Sequence, residues 1–218
     1  MPAIVFDMDG VLIDSERLVL RAWEHVGAEM GIPGLNDLFY RAIGTTHAHT
    51  ATLFAKAFGD SVDYIAFRDR VREYFYNVLT VNGAPLKTGA RELLDWLKAE
   101  GWAIGLASSS RETGVRLNME RTGLISYFDV LIGGDMLKAS KPAPDIYLRA
   151  CAELGVDPRT AFAVEDSYNG IRAAHAAGMR ALMVPDMVPA DDEMRGLAET
   201  VLPDLLAVRA WLAEKAAE

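Results

Sequence analysis

The sequence is poor in cysteine, in long apolar runs and in basic residues, and each shortage excludes a class of protein. Its single cysteine, Cys151, rules out an internal disulfide. That residue lies in a helical pattern, IYLRACAELG, without metal-ligand spacing around it, so we interpret it as a small core residue. No apolar run approaches the ~18 residues of a membrane span, and the first residues, MPAIVF, lack the basic region and cleavage site of a signal peptide. We therefore expect a cytoplasmic protein without a membrane partner.

Basic residues are outnumbered, since 22 Lys and Arg against 31 Asp and Glu give a formal net charge of −9. This balance argues against a nucleic-acid partner, because binding to a phosphate backbone is driven by clustered basic residues. The sequence also lacks a glycine-rich phosphate loop followed by Lys-Ser or Lys-Thr, which argues against a nucleotide-driven kinase. No pattern indicates a dimer, so we expect a monomer. An anionic substrate would have to be attracted by local positive charge.

Six short apolar runs bounded by Gly, Pro or acidic residues dominate what is present. Continuous rather than alternating runs are typical of parallel strands that are buried on both faces. Helical patterns lie between most of them, and strand followed by helix, repeated, indicates an α/β fold with a doubly wound, Rossmann-like parallel sheet. The predicted strands are residues 3–6, 102–107, 130–134, 161–164, 180–184 and 200–202.

The interval between the first and second strands does not follow this rhythm. It shows no strand pattern, but helical spacing of apolar residues recurs around Trp23 and again around Phe67. A simple crossover needs far fewer residues. We therefore predict a helical domain at 16–80, inserted into an α/β core formed by 1–15 and 81–218. The alternative is that these helices cover one face of the sheet.

Polar side chains follow the predicted strands, at the edge where an open parallel sheet binds its ligands. Four carboxylates at close range would repel one another and raise one another's pKa values unless a cation lay among them. Magnesium suits such a site, because it takes one or two carboxylates together with waters and a substrate phosphate. Serines and a lysine would bind the remaining phosphate oxygens, and one carboxylate would be the nucleophile, so the set predicts phosphoryl transfer. Its members are Asp7, Asp9, Ser108, Ser109, Ser110, Lys141, Glu165 and Asp166.

Four segments, DMDGVLIDSE, LASSS, SKPAPDIY and VEDSYNGI, resemble in their order the four motifs of the haloacid dehalogenase superfamily. The resemblance is to its β-phosphoglucomutase-like phosphatases and mutases, which carry a helical cap. It runs from residue 3 to about residue 185, nearly the whole chain.

This resemblance implies a role for each core residue. Asp7 would be the nucleophile and a metal ligand, while Asp9 would be the general acid and base and would offer its backbone carbonyl to the metal. Ser108 and Lys141 would hold the transferring phosphoryl group. Asp166 would be a ligand of the Mg²⁺, and Glu165 would lie beside it.

Residues around this core set have two readings each. Ser109 with Glu112 fits the S-x-x-E capping box, so we expect Ser109 to be an N-cap whose backbone amide faces the phosphate. In the insert, Thr46 and His47 belong to a polar stretch that would meet the leaving group of the substrate, or else is a solvated helix start. Related mutases carry an arginine near this point for the distal phosphate of a bisphosphate. An imidazole is a weaker phosphate anchor than a guanidinium, so His47 favours a phosphatase over a mutase.

Three further activities fit these residues less well. A dehalogenase works without a metal and lacks the second aspartate, so Asp9 disfavours it. A phosphonatase needs a cap lysine, and the only lysine of the insert, Lys56, lies away from the polar stretch. A catalytically silent binding module would have lost a catalytic residue or metal ligand, and none is lost. The leading hypothesis is a Mg²⁺-dependent phosphatase that hydrolyses a small phosphorylated metabolite, such as a sugar phosphate, through an aspartyl-phosphate.

Overall fold

The computed structural model describes residues 2–43 and 47–217, except for the side chains of residues 47–48, 79–82 and 216–217. The chain divides into two units, Met1–Asp14 with Ala84–Glu218 and Ser15–Gly83. Among the helices in the described ranges, none is both long enough and apolar enough to cross a bilayer.

The first unit contains a six-stranded sheet. Its strands are β1 Ala3–Phe6, β2 Ala103–Ser108, β3 Val130–Gly133, β4 Ala161–Glu165, β5 Arg180–Met183 and β6 Thr200–Val201. Every neighbouring pair is parallel, in the order β3-β2-β1-β4-β5-β6. All six lie in the predicted apolar runs, with ends shifted by at most one residue. The α/β prediction is therefore confirmed.

Helices cover both faces of this sheet. They are α5 Ala90–Ala99, α6 Glu112–Arg121, α7 Asp145–Leu154, α8 Tyr168–Ala176, α9 Asp192–Leu197 and α10 Leu205–Ala217. The three central strands β1, β2 and β4 are buried at every position, which explains their continuous apolar sequence. The face that carries Val5 shares a core with α7 and α8. On the opposite face, the ring of Phe162 lies 5.9 Å from that of Trp211 in α10.

The second unit is helical. Its helices are α1 Ser15–Met30, α2 Leu35–Ala42, α3 His47–Phe58 and α4 Tyr64–Asn82. The indole of Trp23 lies in its core, with ring centroids 5.2 Å from Phe39, 5.5 Å from Phe54 and 5.3 Å from Phe67. Such edge-to-face pairs contribute about 0.5–1.5 kcal/mol each beyond the area that they bury. The helical spacing seen around Trp23 and Phe67 thus identifies the apolar faces of α1 and α4.

The two connections to the helical unit leave the first unit side by side, because Asp14 N donates to Pro85 O at 2.8 Å. The predicted domain boundary at residue 80 falls inside helix α4. Helix α4 continues to Asn82 and ends before Gly83, whose φ of 67° is compatible with glycine rather than with a further helical turn.

Candidate active site

The loop after β1 carries the two aspartates of the first motif. Phe6 pairs with residues of both neighbouring strands, so Asp7 emerges at the middle of the carboxyl edge of the sheet. Its backbone N donates to Val164 O at 3.0 Å, and its side chain is buried. The chain then turns at Gly10, whose φ of 77° favours glycine. Asp9 lies inside this turn, half-buried.

Lys141 lies between two carboxylates of the same edge. Its Nζ donates to Asp7 Oδ1 and to Glu165 Oε1, both at 2.6 Å. It also donates to the carbonyl of Ala107 at 3.0 Å, so all three ammonium donors are used. The Lys141 side chain is only 6% exposed, a burial that a charge tolerates when it is paired and hydrogen-bonded. The result is a fixed positive charge beside Asp7.

Glu165, at the end of β4, is fully buried and accepts hydrogen bonds on both oxygens. Besides Lys141, Oε1 accepts the hydroxyl of Tyr147 at 2.6 Å. Oε2 accepts the Ser167 hydroxyl at 3.1 Å and the backbone amides of Asp166 and Ser167 at 3.2 and 3.4 Å. A carboxylate offers about four lone-pair sites, so these donors occupy it. Glu165 is thereby held in one orientation under Lys141.

Two glycines make room for these carboxylates. A Cβ at Gly170, in the first turn of α8, would lie 1.9 Å from the carboxyl carbon of Glu165. A Cβ at Gly10 would lie 2.2 Å from Asp166 Oδ2. Each position therefore requires the absence of a side chain, because real Cβ contacts are never this short.

Burial sets the protonation of this group. It raises the pKa of Asp7 to about 8, an effect that Lys141 opposes and that Glu165 and Asp9 reinforce. Burial by itself lowers the pKa of Lys141, but the charges of Asp7 and Glu165 outweigh it and leave that pKa above its usual range. Burial and the charge of Glu165 also raise the pKa of Tyr147. Lys141 therefore stays an ammonium and Tyr147 stays a hydrogen-bond donor.

Three carboxylates of this edge form a cluster that could hold a metal ion. Asp7, Glu165 and Asp166 each present a carboxylate oxygen, and these oxygens lie within 4.8 Å of one another. A set of carboxylate oxygens suits a hard cation such as Mg²⁺ better than Zn²⁺, which favours nitrogen and sulfur. Five donors already occupy the carboxylate of Glu165. The carboxylates of Asp7 and Asp166 are therefore better placed to bind the cation.

The Asp9 carboxylate has different partners from that of Asp7. Its Oδ2 accepts the hydroxyl of Ser110 at 3.1 Å and that of Ser108 at 3.4 Å. Ser108 Oγ in turn accepts the backbone amide of Ser110 at 3.1 Å. One aspartate thus faces an ammonium and the other faces hydroxyls, which suits two carboxylates with two tasks.

The prediction for Ser109 as an N-cap is wrong. Helix α6 starts at Glu112 with Arg111 in the N-cap position, and Glu112 N donates to Asp135 Oδ1 at 2.8 Å. Ser109 itself is exposed. The S-x-x-E pattern fails because the acceptor for the helix start comes from the loop after β3, which the local sequence cannot indicate.

The two residues predicted to meet the leaving group, Thr46 and His47, lie outside the described part of the chain, wholly or in their side chain. Thr46 and the side chain of His47 are not among the described residues. The backbone of His47 forms the first residue of α3.

Tyr147 had no predicted role in the site, and Ser110 was predicted as one of the phosphate-binding serines, not as a partner of Asp9. Ser110 had a usable signal, because it belongs to the run of three serines at the end of β2, on the edge where an open parallel sheet binds its ligands. Tyr147 had a weaker one. It follows Lys141 by six residues in SKPAPDIY, with the chain turning into α7 between them.

Known proteins resemble this chain over most of its length. The family described as "Haloacid dehalogenase-like hydrolase" matches residues 4–184. A phosphorylated carbohydrates phosphatase of Thermotoga maritima is 34% identical over 183 residues, which cover 82% of this chain and 82% of that protein. Hexitol phosphatase B of Escherichia coli is 35% identical over 218 residues, covering 94% and 96%. A beta-phosphoglucomutase of Bacillus subtilis is 33% identical over 190 residues, covering 84% and 83%.

A solved structure extends the likeness to three dimensions. The HAD family hydrolase from Deinococcus radiodurans, crystallised with bound phosphate and sodium, superposes with a TM-score of 0.83 at 30% identity. The superposition covers 99% of this chain and 96% of that one. The likeness therefore includes both units of the chain.

Proposed function

The chain belongs to the haloacid dehalogenase-like hydrolases, and from that membership we propose that it is a Mg²⁺-dependent phosphatase acting on a small phosphorylated carbohydrate. The observation that carries the proposal is the placement of Lys141 Nζ, 2.6 Å from both Asp7 and Glu165, at the carboxyl edge of the sheet. A buried ammonium beside a carboxylate is suited to a dianionic phosphoryl group, whose charge it offsets.

We assign the metal to Asp7, Asp166 and the backbone carbonyl of Asp9, with Glu165 anchoring Lys141 next to them. Magnesium, when bound, would neutralise the charge shared by these carboxylates and the phosphoryl oxygens. The support for this assignment is the approach of the carboxylate oxygens to within 4.8 Å and the room that Gly10 leaves for Asp166.

The chain's own residues account for the two chemical steps. Asp7 forms a bond to phosphorus while the bond to the leaving oxygen breaks, and Asp9 gives its proton to that oxygen. Asp9 then takes a proton from a water molecule, which attacks phosphorus and releases Asp7. When substrate is bound, Ser108 and Lys141 each turn a donor to the phosphoryl oxygens. The Ser110 hydroxyl orients Asp9 for both proton transfers.

The substrate class is inferred from the relatives. Two of them are named for phosphatase activity on phosphorylated carbohydrates and on hexitols. The acidic balance of this chain disfavours nucleic acids as alternatives. A phosphorylated sugar or polyol is therefore the proposed substrate.

The test is phosphate release from a panel of sugar, polyol and nucleotide phosphates, with and without Mg²⁺. We expect release from sugar or polyol phosphates, its loss on chelation, and its recovery when Mg²⁺ is restored. Asp7→Asn should fold and lose turnover, because the amide cannot attack phosphorus. Near-normal activity in a pure Asp7→Asn sample would overturn the mechanism.

A mutase is the second candidate, favoured by the relative named beta-phosphoglucomutase. A mutase must shield its aspartyl-phosphate from water while the sugar monophosphate reorients. We expect net phosphate release from hexose phosphates without a bisphosphate activator. Conversion of β-glucose 1-phosphate to glucose 6-phosphate with little free phosphate would decide for the mutase instead.

A further inference from the structure

We propose that Tyr147 is a positioning residue of the reaction, which acts on Lys141 through Glu165. The proposal rests on the proposed function, because it assigns a task to a residue next to that site. Tyr147 is fully buried in α7, and its hydroxyl donates to Glu165 Oε1 at 2.6 Å. That oxygen is the same one that accepts Lys141 at 2.6 Å.

The ring of Tyr147 makes a second contact with the lysine. Lys141 Nζ lies 5.0 Å from the ring centroid, within the range of a cation–π interaction. The tyrosine therefore touches both members of the Lys141–Glu165 pair, its ring near one and its hydroxyl on the other. Its hydroxyl has no role in the two chemical steps, and a phenylalanine would fill the same apolar space.

The position of the ammonium is a balance between two carboxylates. Lys141 lies 2.6 Å from Asp7 Oδ1 and 2.6 Å from Glu165 Oε1. A hydroxyl that donates to Oε1 takes up part of the negative charge there, which weakens the pull of Glu165 on Lys141. Without it, the ammonium should move toward Glu165 and away from Asp7. The Tyr147 hydroxyl thus keeps the positive charge where the phosphoryl group is transferred.

Tyr147→Phe tests this directly, since it removes one oxygen and keeps the ring. The matched control is Tyr127→Phe. Tyr127 lies half-exposed on the turn before β3, and its hydroxyl donates to the carboxylate of Asp95 in α5. We expect Tyr147→Phe to lower kcat about tenfold with KM changed less than about twofold, as for other groups that orient a site residue. Tyr127→Phe should leave both constants unchanged.

A readout that needs no turnover accompanies the kinetics. The ¹⁵N and proton resonances of the Lys141 ammonium, assigned with Lys141→Arg, report its hydrogen bonds in the protein without substrate. We expect these resonances to shift in Tyr147→Phe and not in Tyr127→Phe. If wild-type protein releases no phosphate from any substrate while the resonances shift, the proposed function fails and the contact between Tyr147 and Lys141 stands.

The remaining outcomes overturn the proposal. A kcat of Tyr147→Phe equal to that of the wild type would overturn it, whether or not the Lys141 resonances shift. Glu165→Gln provides the second variant should Tyr147→Phe not fold, because it keeps the shape of the side chain and removes the charge that joins the two residues. Wild-type turnover in Glu165→Gln would remove the connection through which Tyr147 is proposed to act.

Discussion

The three consecutive serines at the end of β2 differ in what they contact. Ser110 Oγ donates to Asp9 at 3.1 Å, whereas Ser109 is exposed. We expect Ser110→Ala to lower kcat about tenfold, because a hydrogen bond to a charged group contributes about 1.5–3 kcal/mol. Ser109→Ala should stay within about twofold of wild type. Equal losses in the two variants would contradict the proposed orientation of Asp9.

Glycine at position 170 is required by the carboxylate beside it. Gly170→Ala would place a Cβ 1.9 Å from Glu165, which must then move and release Lys141. We expect loss of most activity and about 1–3 kcal/mol of stability, as for other overpacked sites. Turnover and thermal unfolding measure the two effects.

Gly114 is the matched control, since it also lies within a helix, α6. Apart from its chain neighbours and the backbone of its own helix, a Cβ there would meet no heavy atom of the described residues within 4 Å. Gly114→Ala should therefore stabilise the protein by about 0.5–1 kcal/mol and leave turnover unchanged. A loss of activity in Gly114→Ala comparable to that in Gly170→Ala would contradict the argument from Glu165.

At the start of α6, Glu112 N donates a hydrogen bond to Asp135 Oδ1 in the loop after β3. Since α6 follows the serine loop directly, Asp135→Ala should loosen both. We expect a stability loss of about 1 kcal/mol, the usual effect of a lost cap, together with a lower kcat. Asp204→Ala removes a comparable bond to Ala207 N at the start of α10. Asp204→Ala should lose similar stability and keep the wild-type kcat. If kcat falls in Asp204→Ala as well, the lower kcat of Asp135→Ala reflects lost stability alone.

The whole protein should depend on pH and Mg²⁺ through Asp7. Its pKa of about 8 in the folded protein exceeds the ordinary 3.8, mainly because of burial. Between these two values the folded state binds the proton that the unfolded chain has lost, so stability falls as pH rises. Without metal, we expect the midpoint temperature of thermal unfolding to decrease as the pH is raised from about 5 to about 8.

Magnesium should restore that loss, because it binds the folded state and favours ionised Asp7. Asp7→Asn should show a flatter pH profile and little stabilisation by Mg²⁺. Asp145→Asn, at an exposed position of α7, is the control and should behave like wild type. The measurement is thermal unfolding across pH with Mg²⁺ or a chelator. A Mg²⁺ response of wild-type size in Asp7→Asn would remove Asp7 from the metal site.

What the sequence determined was local or periodic. Continuous apolar runs identified all six strands to within one residue, and the position of Asp7, Glu165 and Asp166 at strand ends placed them at one edge of the sheet. These inferences succeed because burial on both faces and the common direction of parallel strands are properties of each segment and of its order in the chain.

Only the tertiary structure decided which side chains touch. It chose Ser110 over Ser109 beside Asp9, brought Asp135 to the start of α6, and set the Tyr147 hydroxyl on the same oxygen of Glu165 as Lys141. Such contacts join residues as far apart in the chain as Asp7 and Lys141, separated by 134 positions. Their distances depend on how helices pack on the sheet, to within an ångström, and no local pattern carries that information.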